Sequence, residues 1–150
     1  MTVEELIVYG KSKVSSTHAK MLLANLLNKN PLELLNYLDD TVEESIIEKY
    51  KHQLEEIVNN KPIQYIMGTT NFYGYEFIVN NSTLIPRFET EELVEKTLLY
   101  INELFPNKNI DIVDLGTGTG CIGITLKKLL PTLDIFPDIT LSTSSFPHNL

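Results

Sequence analysis

The string Asp114-Leu115-Gly116-Thr117-Gly118-Thr119-Gly120 constrains this chain more than any other feature. It follows a short β-branched run, Ile110-Asp111-Ile112-Val113-Asp114-Leu115, and precedes an apolar stretch that reaches Leu130. Glycines at alternate positions let the backbone reverse sharply and approach a ligand with no Cβ in the way. The N–H groups at the start of the following helix can then face a polar or anionic group. Strand, glycine-rich turn and helix form the opening unit of an open, doubly wound sheet. A tight turn alone also accounts for glycines, but placement between a strand and an apolar helix favours a ligand loop. The spacing is not that of a phosphate-binding nucleotidase, because no lysine follows Gly120. Nor is it G-x-G-x-x-G, since the third glycine comes one residue early. An acidic residue at the end of the second strand receives ribose hydroxyls in such folds. Asp138, 22 residues after Gly116, is the candidate, with a solvated loop aspartate as the alternative reading.

Upstream the chain changes character twice. Residues 1–68 read as a helical bundle. Thr2 with Glu5, and Thr41 with Glu44, have the spacing of reciprocal N-terminal caps. Ser15-Ser16-Thr17 offers a start for a second helix, and Pro31 suits the first turn of a short one over Leu32, Leu34, Leu35 and Leu38. Val42, Ile46, Ile47, Tyr50, Leu54, Ile57 and Val58 follow helical spacing until Asn59-Asn60-Lys61-Pro62 stops it. Residues 69–87 read as a β-hairpin linker. Tyr75, Phe77 and Val79 alternate with outward positions, Asn80-Asn81 turns the chain, and Thr83-Leu84-Ile85 resumes the strand. Thr90 to Ile101 then predicts a helix with Leu93, Val94, Leu98 and Ile101 on one face.

Composition narrows the function classes. Twenty acidic residues against 12 basic ones give a net charge of −8, which argues against a nucleic-acid or anionic-membrane partner. A single cysteine, Cys121, forms no internal disulfide and reads as packing on the glycine turn. No apolar run approaches a membrane span, and MTVEELIVYG is acidic where a signal peptide is basic. A cytoplasmic monomer is the expectation. His18, His52 and His148 show no metal-ligand spacing, so no metal site is expected.

The form D-L-G-T-G-T-G is similar to the first motif of S-adenosylmethionine-dependent methyltransferases. Pro62-Ile63-Gln64-Tyr65-Ile66-Met67-Gly68, Asn71-Phe72-Tyr73-Gly74, and Leu84-Ile85-Pro86-Arg87-Phe88-Glu89-Thr90-Glu91 precede it in a telling order. With these motifs the chain resembles the bacterial N5-glutamine methyltransferases of peptide chain release factors. The resemblance covers about residues 1–130 and implies an α/β protein. An N-terminal helical bundle recognises the substrate, a hairpin follows, and residues 88–150 begin a Rossmann-like domain. It implies methyl transfer from S-adenosyl-L-methionine to the glutamine amide of a release factor's Gly-Gly-Gln motif. Asp114, Gly116, Thr117, Gly118, Thr119 and Gly120 match the cofactor loop, and Asp138 the ribose-binding acid. Arg87, the sole arginine, reads either as an ion pair closing the hairpin or as a fork for a carboxylate. The family has a second proline where this chain has Phe88.

The family's Asn-Pro-Pro-Tyr catalytic loop is absent from the sequence, so no catalytic residue is assigned and the chain alone is expected to be inactive. The 41 residues from Ile110 hold one βα unit and part of a second strand. Residues 131–150 contain six Ser/Thr and three Pro but no Lys or Arg, unlike the alanine-rich helix of the family. A truncated or frameshifted reading frame, with roughly 141–150 non-native, is the expectation. Two other readings stay open: a non-catalytic release-factor-binding module, and a fragment of an N6-adenine nucleic-acid methyltransferase. The acidic balance and the Leu-Ile-Pro-Arg-x-Glu-Thr segment weigh against the second.

Overall fold

Thr2 and Glu5 cap each other at the start of the chain, as their spacing predicts. The Glu5 N–H donates to Thr2 Oγ1 at 3.2 Å and the Thr2 N–H to Glu5 Oε2 at 3.0 Å. They open helix α1 (Val3–Lys11) in a computed structural model that describes residues 1–106 and 109–138. The chain divides into two units, Met1–Gly68 and a second beginning at Thr69. His148 and the stretch of roughly 141–150 expected to be non-native lie outside the described residues, whereas 131–138, at the start of the atypical 131–150 segment, are described.

The first unit is helical. After α1 come α2 (Ser16–Leu26), a 3₁₀ turn (Glu33–Asn36), α3 (Glu44–Val58) and the short α4 (Ile63–Met67). Ser15 caps α2 by accepting from the His18 N–H at 3.2 Å. Asparagines in the left-handed region close α2 and α3: Asn28 has φ 52° and Asn60 has φ 66°. In each case the next N–H reaches back five residues, from Lys29 to the Ala24 carbonyl and from Lys61 to that of Glu56.

Two local expectations fail there. Thr41 caps nothing: α3 starts one residue after Glu43, with no side-chain hydrogen bond at its cap. Thr41 is instead drawn into an antiparallel bridge with Thr2, and the N–H groups of Val3 and Val42 donate to the carbonyls of Asp40 and Met1, both at 3.0 Å. Residues after Pro31 make only the 3₁₀ turn. The Asn30 side chain accepts from the Leu32 N–H at 2.9 Å, which favours a tight turn over a helix. Residues three apart eclipse in that geometry. Leu32 and Leu35 therefore point together to solvent while Leu34 is fully buried.

Leu6, Leu22, Leu23, Leu34, Ile47, Tyr50 and Leu54 form the core of this unit. Gly10 permits its closest approach, because a Cβ there would collide with the Tyr50 hydroxyl and lie 2.8 Å from the Ala19 Cβ. That hydroxyl donates to the Ala19 carbonyl at 3.1 Å.

The second unit opens with strands β1 (Thr69–Phe72) and β2 (Tyr75–Ile78), paired antiparallel from Thr69 opposite Ile78 to Phe72 opposite Tyr75. Tyr73 and Gly74 turn the chain at φ 51° and 77°, the mirror-image turn that matches strand twist. The hairpin thus lies one strand earlier than the sequence predicts. Phe77 and Val79 do face inward, but Thr83–Ile85 forms no strand, since Tyr75–Ile78 already has its partner. After a 3₁₀ turn (Phe88–Thr90), α5 (Glu91–Leu104) buries Val94 yet leaves Leu93 51% exposed. Then β3 (Asp111–Leu115), α6 (Cys121–Leu129) and β4 (Asp134–Asp138) follow. β3 and β4 are parallel, with Ile112 opposite Ile135 and Leu115 opposite Asp138. Phe72, Phe77, Val94, Cys121 and Leu126 share one core, the two phenyl rings meeting edge to face at 6.1 Å. The architecture is α/β: a helical region, then strands and helices that begin a methyltransferase fold.

Burial pushes the Tyr50 phenol up to about 12. A phenol whose folded pKa is raised stabilises the fold below its unfolded value near 10, and that contribution is lost as pH rises toward 12. Urea unfolding of the first unit should weaken by up to about 1.4 kcal/mol per pH unit across that window. Tyr50→Phe should remove this extra alkaline loss.

Candidate functional site

The glycine turn is built between the ends of two parallel strands. Gly116, Gly118 and Gly120 have φ of 71°, 56° and 76°, all in the left-handed region. Side chains other than glycine adopt it only at a cost. The Gly116 N–H donates to the Asp138 carbonyl at 3.0 Å, so the end of β4 fixes the first residue of the turn. The Gly120 N–H then donates to the Thr117 carbonyl at 2.8 Å, and the Ile124 N–H to that of Gly120 at 2.9 Å, where α6 begins.

Asp114 holds these parts together. It is 9% exposed, and its Oδ2 accepts from Thr117 Oγ1 at 2.9 Å and from the Gly123 N–H at 3.2 Å. One carboxylate thereby binds strand, turn and helix. Gly123 has no role in the sequence reading. The structure gives it one: a Cβ there would sit 3.2 Å from both Asp114 Oδ2 and Ile135 Cγ2. The spacing G-x-x-G from Gly120 was the available signal.

The N–H groups of Gly118 and Thr119 meet no protein acceptor among the described residues. A Cβ on Gly118 would find only the Gly116 carbonyl oxygen, at 3.9 Å. The turn therefore leaves open space at the Cβ position of Gly118 and two backbone donors without a protein acceptor. Beside it lies a cleft of about 500 Å³ lined by Thr117, Gly118, Thr119 and Gly120, with Ile124 and Pro137. Of the seven residues expected to bind cofactor, these four line the cleft. Gly116 and Asp114 stand behind them, and Asp138 sits half-buried at the end of β4, level with Leu115. Pro137 does not break that strand; it occupies a β4 position opposite Asp114.

Arg87 departs from the expected hairpin-closing ion pair. It is exposed and makes no ion pair among the described residues. Glu91 ties the hairpin instead, its Oε1 accepting from the Tyr73 N–H at 2.7 Å. Sequence reasoning passed over Glu91, although it ends the Pro-Arg-Phe-Glu-Thr-Glu string and opens α5. Cys121 is buried, and burial raises its thiol pKa, so it is held neutral as packing. No group of three His, Cys, Asp or Glu capable of holding a metal occurs among the described residues. No described helix is long and apolar enough to cross a membrane.

Asp114→Ala should cost the second unit about 2 kcal/mol, because two donors lose a charged acceptor. Amide exchange at Gly116–Ile124 should quicken, and Asp114→Asn should restore part of the loss.

Residues 11–68 match the PrmC N-terminal domain family. A release factor glutamine methyltransferase of Flavobacterium psychrophilum is 51% identical over 83 residues, 55% of this chain and 29% of that protein. The Staphylococcus aureus protein of the same name is 34% identical over 134 residues, 89% of this chain and 46% of its own length. That of Clostridium botulinum is 35% identical over 157 aligned positions, covering 99% of this chain and 53% of the relative. The chain spans about half, or less, of the length of these relatives. In its N-terminal domain, its hairpin and its glycine turn, taken in this order, the chain is similar to release factor glutamine methyltransferases, and residues 11–68 are a PrmC N-terminal domain.

Proposed function

We propose that this chain supplies the substrate-recognition module and the cofactor loop of a protein methyltransferase. The methyl group would pass from S-adenosyl-L-methionine to the glutamine side-chain amide of a release factor's Gly-Gly-Gln motif. The observation that carries this reading is the turn itself. Gly118 and Thr119 both line the cleft, and their N–H groups meet no acceptor among the described residues. Such a cradle fits a ligand with polar and carboxylate groups beside an apolar body. Bound there, S-adenosylmethionine supplies an electrophilic methyl on its sulfonium.

Each residue then has a role of its own. Gly118 and Thr119 donate to the ligand, Gly116 and Gly120 shape the approach, and Thr117 is oriented by Asp114. Asp138, level with the turn, takes the ribose hydroxyls. Residues 1–68 recognise the release factor, 69–87 link, and 88–150 begin the catalytic domain. The amide nitrogen to be methylated is a poor nucleophile, because its lone pair is delocalised into the carbonyl. Orienting that amide needs a group such as the Asn-Pro-Pro-Tyr loop, which this sequence does not contain. The 150-residue chain by itself therefore does not turn over.

A chimera tests this. Residues 1–138, joined to the remaining part of a longer relative, should methylate a release factor at glutamine, read by mass spectrometry. The chain alone should not, and Gly118→Asp in the chimera should abolish methylation while leaving the fold intact. Methylation of adenine in nucleic acid by the chimera, with none of glutamine, would overturn the reading.

A further inference from the structure

The first unit carries a small basic pocket that the cofactor loop does not explain. Tyr9 on α1 is flanked by two ammonium groups, Lys13 Nζ at 5.9 Å and Lys51 Nζ at 5.8 Å from its ring centroid. Neither lysine makes an ion pair among the described residues, whereas Lys61, Lys96 and Lys127 each meet a carboxylate. Lys29 and Lys128 each lie singly over a tyrosine ring, at 3.6 and 4.8 Å, whereas among the described residues Tyr9 alone is shared by two ammonium groups. They border a pocket of about 200 Å³ whose floor is Leu54 and whose rim includes the exposed Val58. Glu55 also lines the pocket and lies beyond ion-pair distance of both lysines.

We infer that this pocket on α1 and α3 is a docking point for an acidic segment of the protein substrate, one carboxylate side chain with an apolar neighbour. The charge pattern selects that occupant. The carboxylate takes the two ammonium groups at the Tyr9 end, and the neighbour covers Val58 over the Leu54 floor. Glu55 and Asn59, which also line the pocket, accept from the segment's own N–H groups. A volume of about 200 Å³ admits one or two side chains, so the pocket anchors a segment rather than enclosing a ligand. Nucleic acid would bring a continuous line of phosphates, which two lysines beside Glu55 do not match.

The inference rests on the reading of residues 1–68 as the recognition module. The test uses the 150-residue chain and the release factor of the same organism, with affinity measured by biolayer interferometry at several salt concentrations. Lys13→Met with Lys51→Met should weaken binding about tenfold or more and flatten its salt dependence. Lys49→Met with Lys96→Met removes the same charge from exposed positions elsewhere and should leave affinity unchanged. Circular dichroism of both double variants controls for folding. Equal affinity of the two double variants overturns the pocket while leaving the recognition role intact. Failure of the unaltered chain to bind the release factor at all overturns the recognition role, and the pocket assignment falls with it. Tighter binding of a single-stranded RNA than of the release factor at the same pocket also overturns the assignment.

Discussion

The Asp114 carboxylate is the interaction on which the second unit depends. It leaves β3 on the buried side, accepts from the Thr117 hydroxyl, and reaches the Gly123 N–H within α6. A buried carboxylate is tolerated only when donors surround it, so the turn cannot drift without exposing or orphaning that charge. Gly123 is the steric counterpart: any side chain there would push α6 away from Asp114 and Ile135. The hydrogen bond from the Gly116 N–H to the Asp138 carbonyl completes the arrangement from the neighbouring strand. Gly118 and Thr119 are thus held in place by Asp114 and by the end of β4, neither Asp114 nor Asp138 lining the cleft itself.

The first unit uses the same logic with a different group. Gly10 lets the Tyr50 hydroxyl into the space where a side chain would otherwise stand, and the hydroxyl is satisfied by the Ala19 carbonyl. Three helices are fixed around one buried phenol. The reciprocal cap of Thr2 and Glu5 and the bridge from Thr2 to Thr41 anchor the chain start to the segment before α3. Each unit therefore has its own core and its own buried polar tie.

Elements with a strong period or an unambiguous cap were legible in the sequence. The helix over Ile47, Tyr50 and Leu54, the strand before the glycine turn and the cap at Thr2 all formed where their residues indicate. What escaped depends on partners distant in sequence or on turn geometry. Thr69-Thr70-Asn71-Phe72 has no alternating apolar pattern; it is a strand because Tyr73-Gly74 folds it onto Tyr75–Ile78. Thr83-Leu84-Ile85 has the pattern but no partner. Thr41 has capping chemistry, yet a backbone bridge outcompetes it. In the turn, the motif revealed the glycines, while Gly123 and Glu91 act through contacts that spacing alone does not disclose. Arg87 drew attention by being the sole arginine, and the tie it was expected to make belongs to Glu91.

The cofactor role proposed for the turn after β3 rests on its backbone being formed before any ligand arrives. Amide chemical shifts of the isotope-labelled 150-residue chain, followed during titration with S-adenosylmethionine, test it most directly. The largest shifts are expected at Gly118 and Thr119, in fast exchange and without saturation at micromolar ligand, while the helices of the first unit stay still. Saturable micromolar binding, or shifts centred anywhere but this turn, would contradict it.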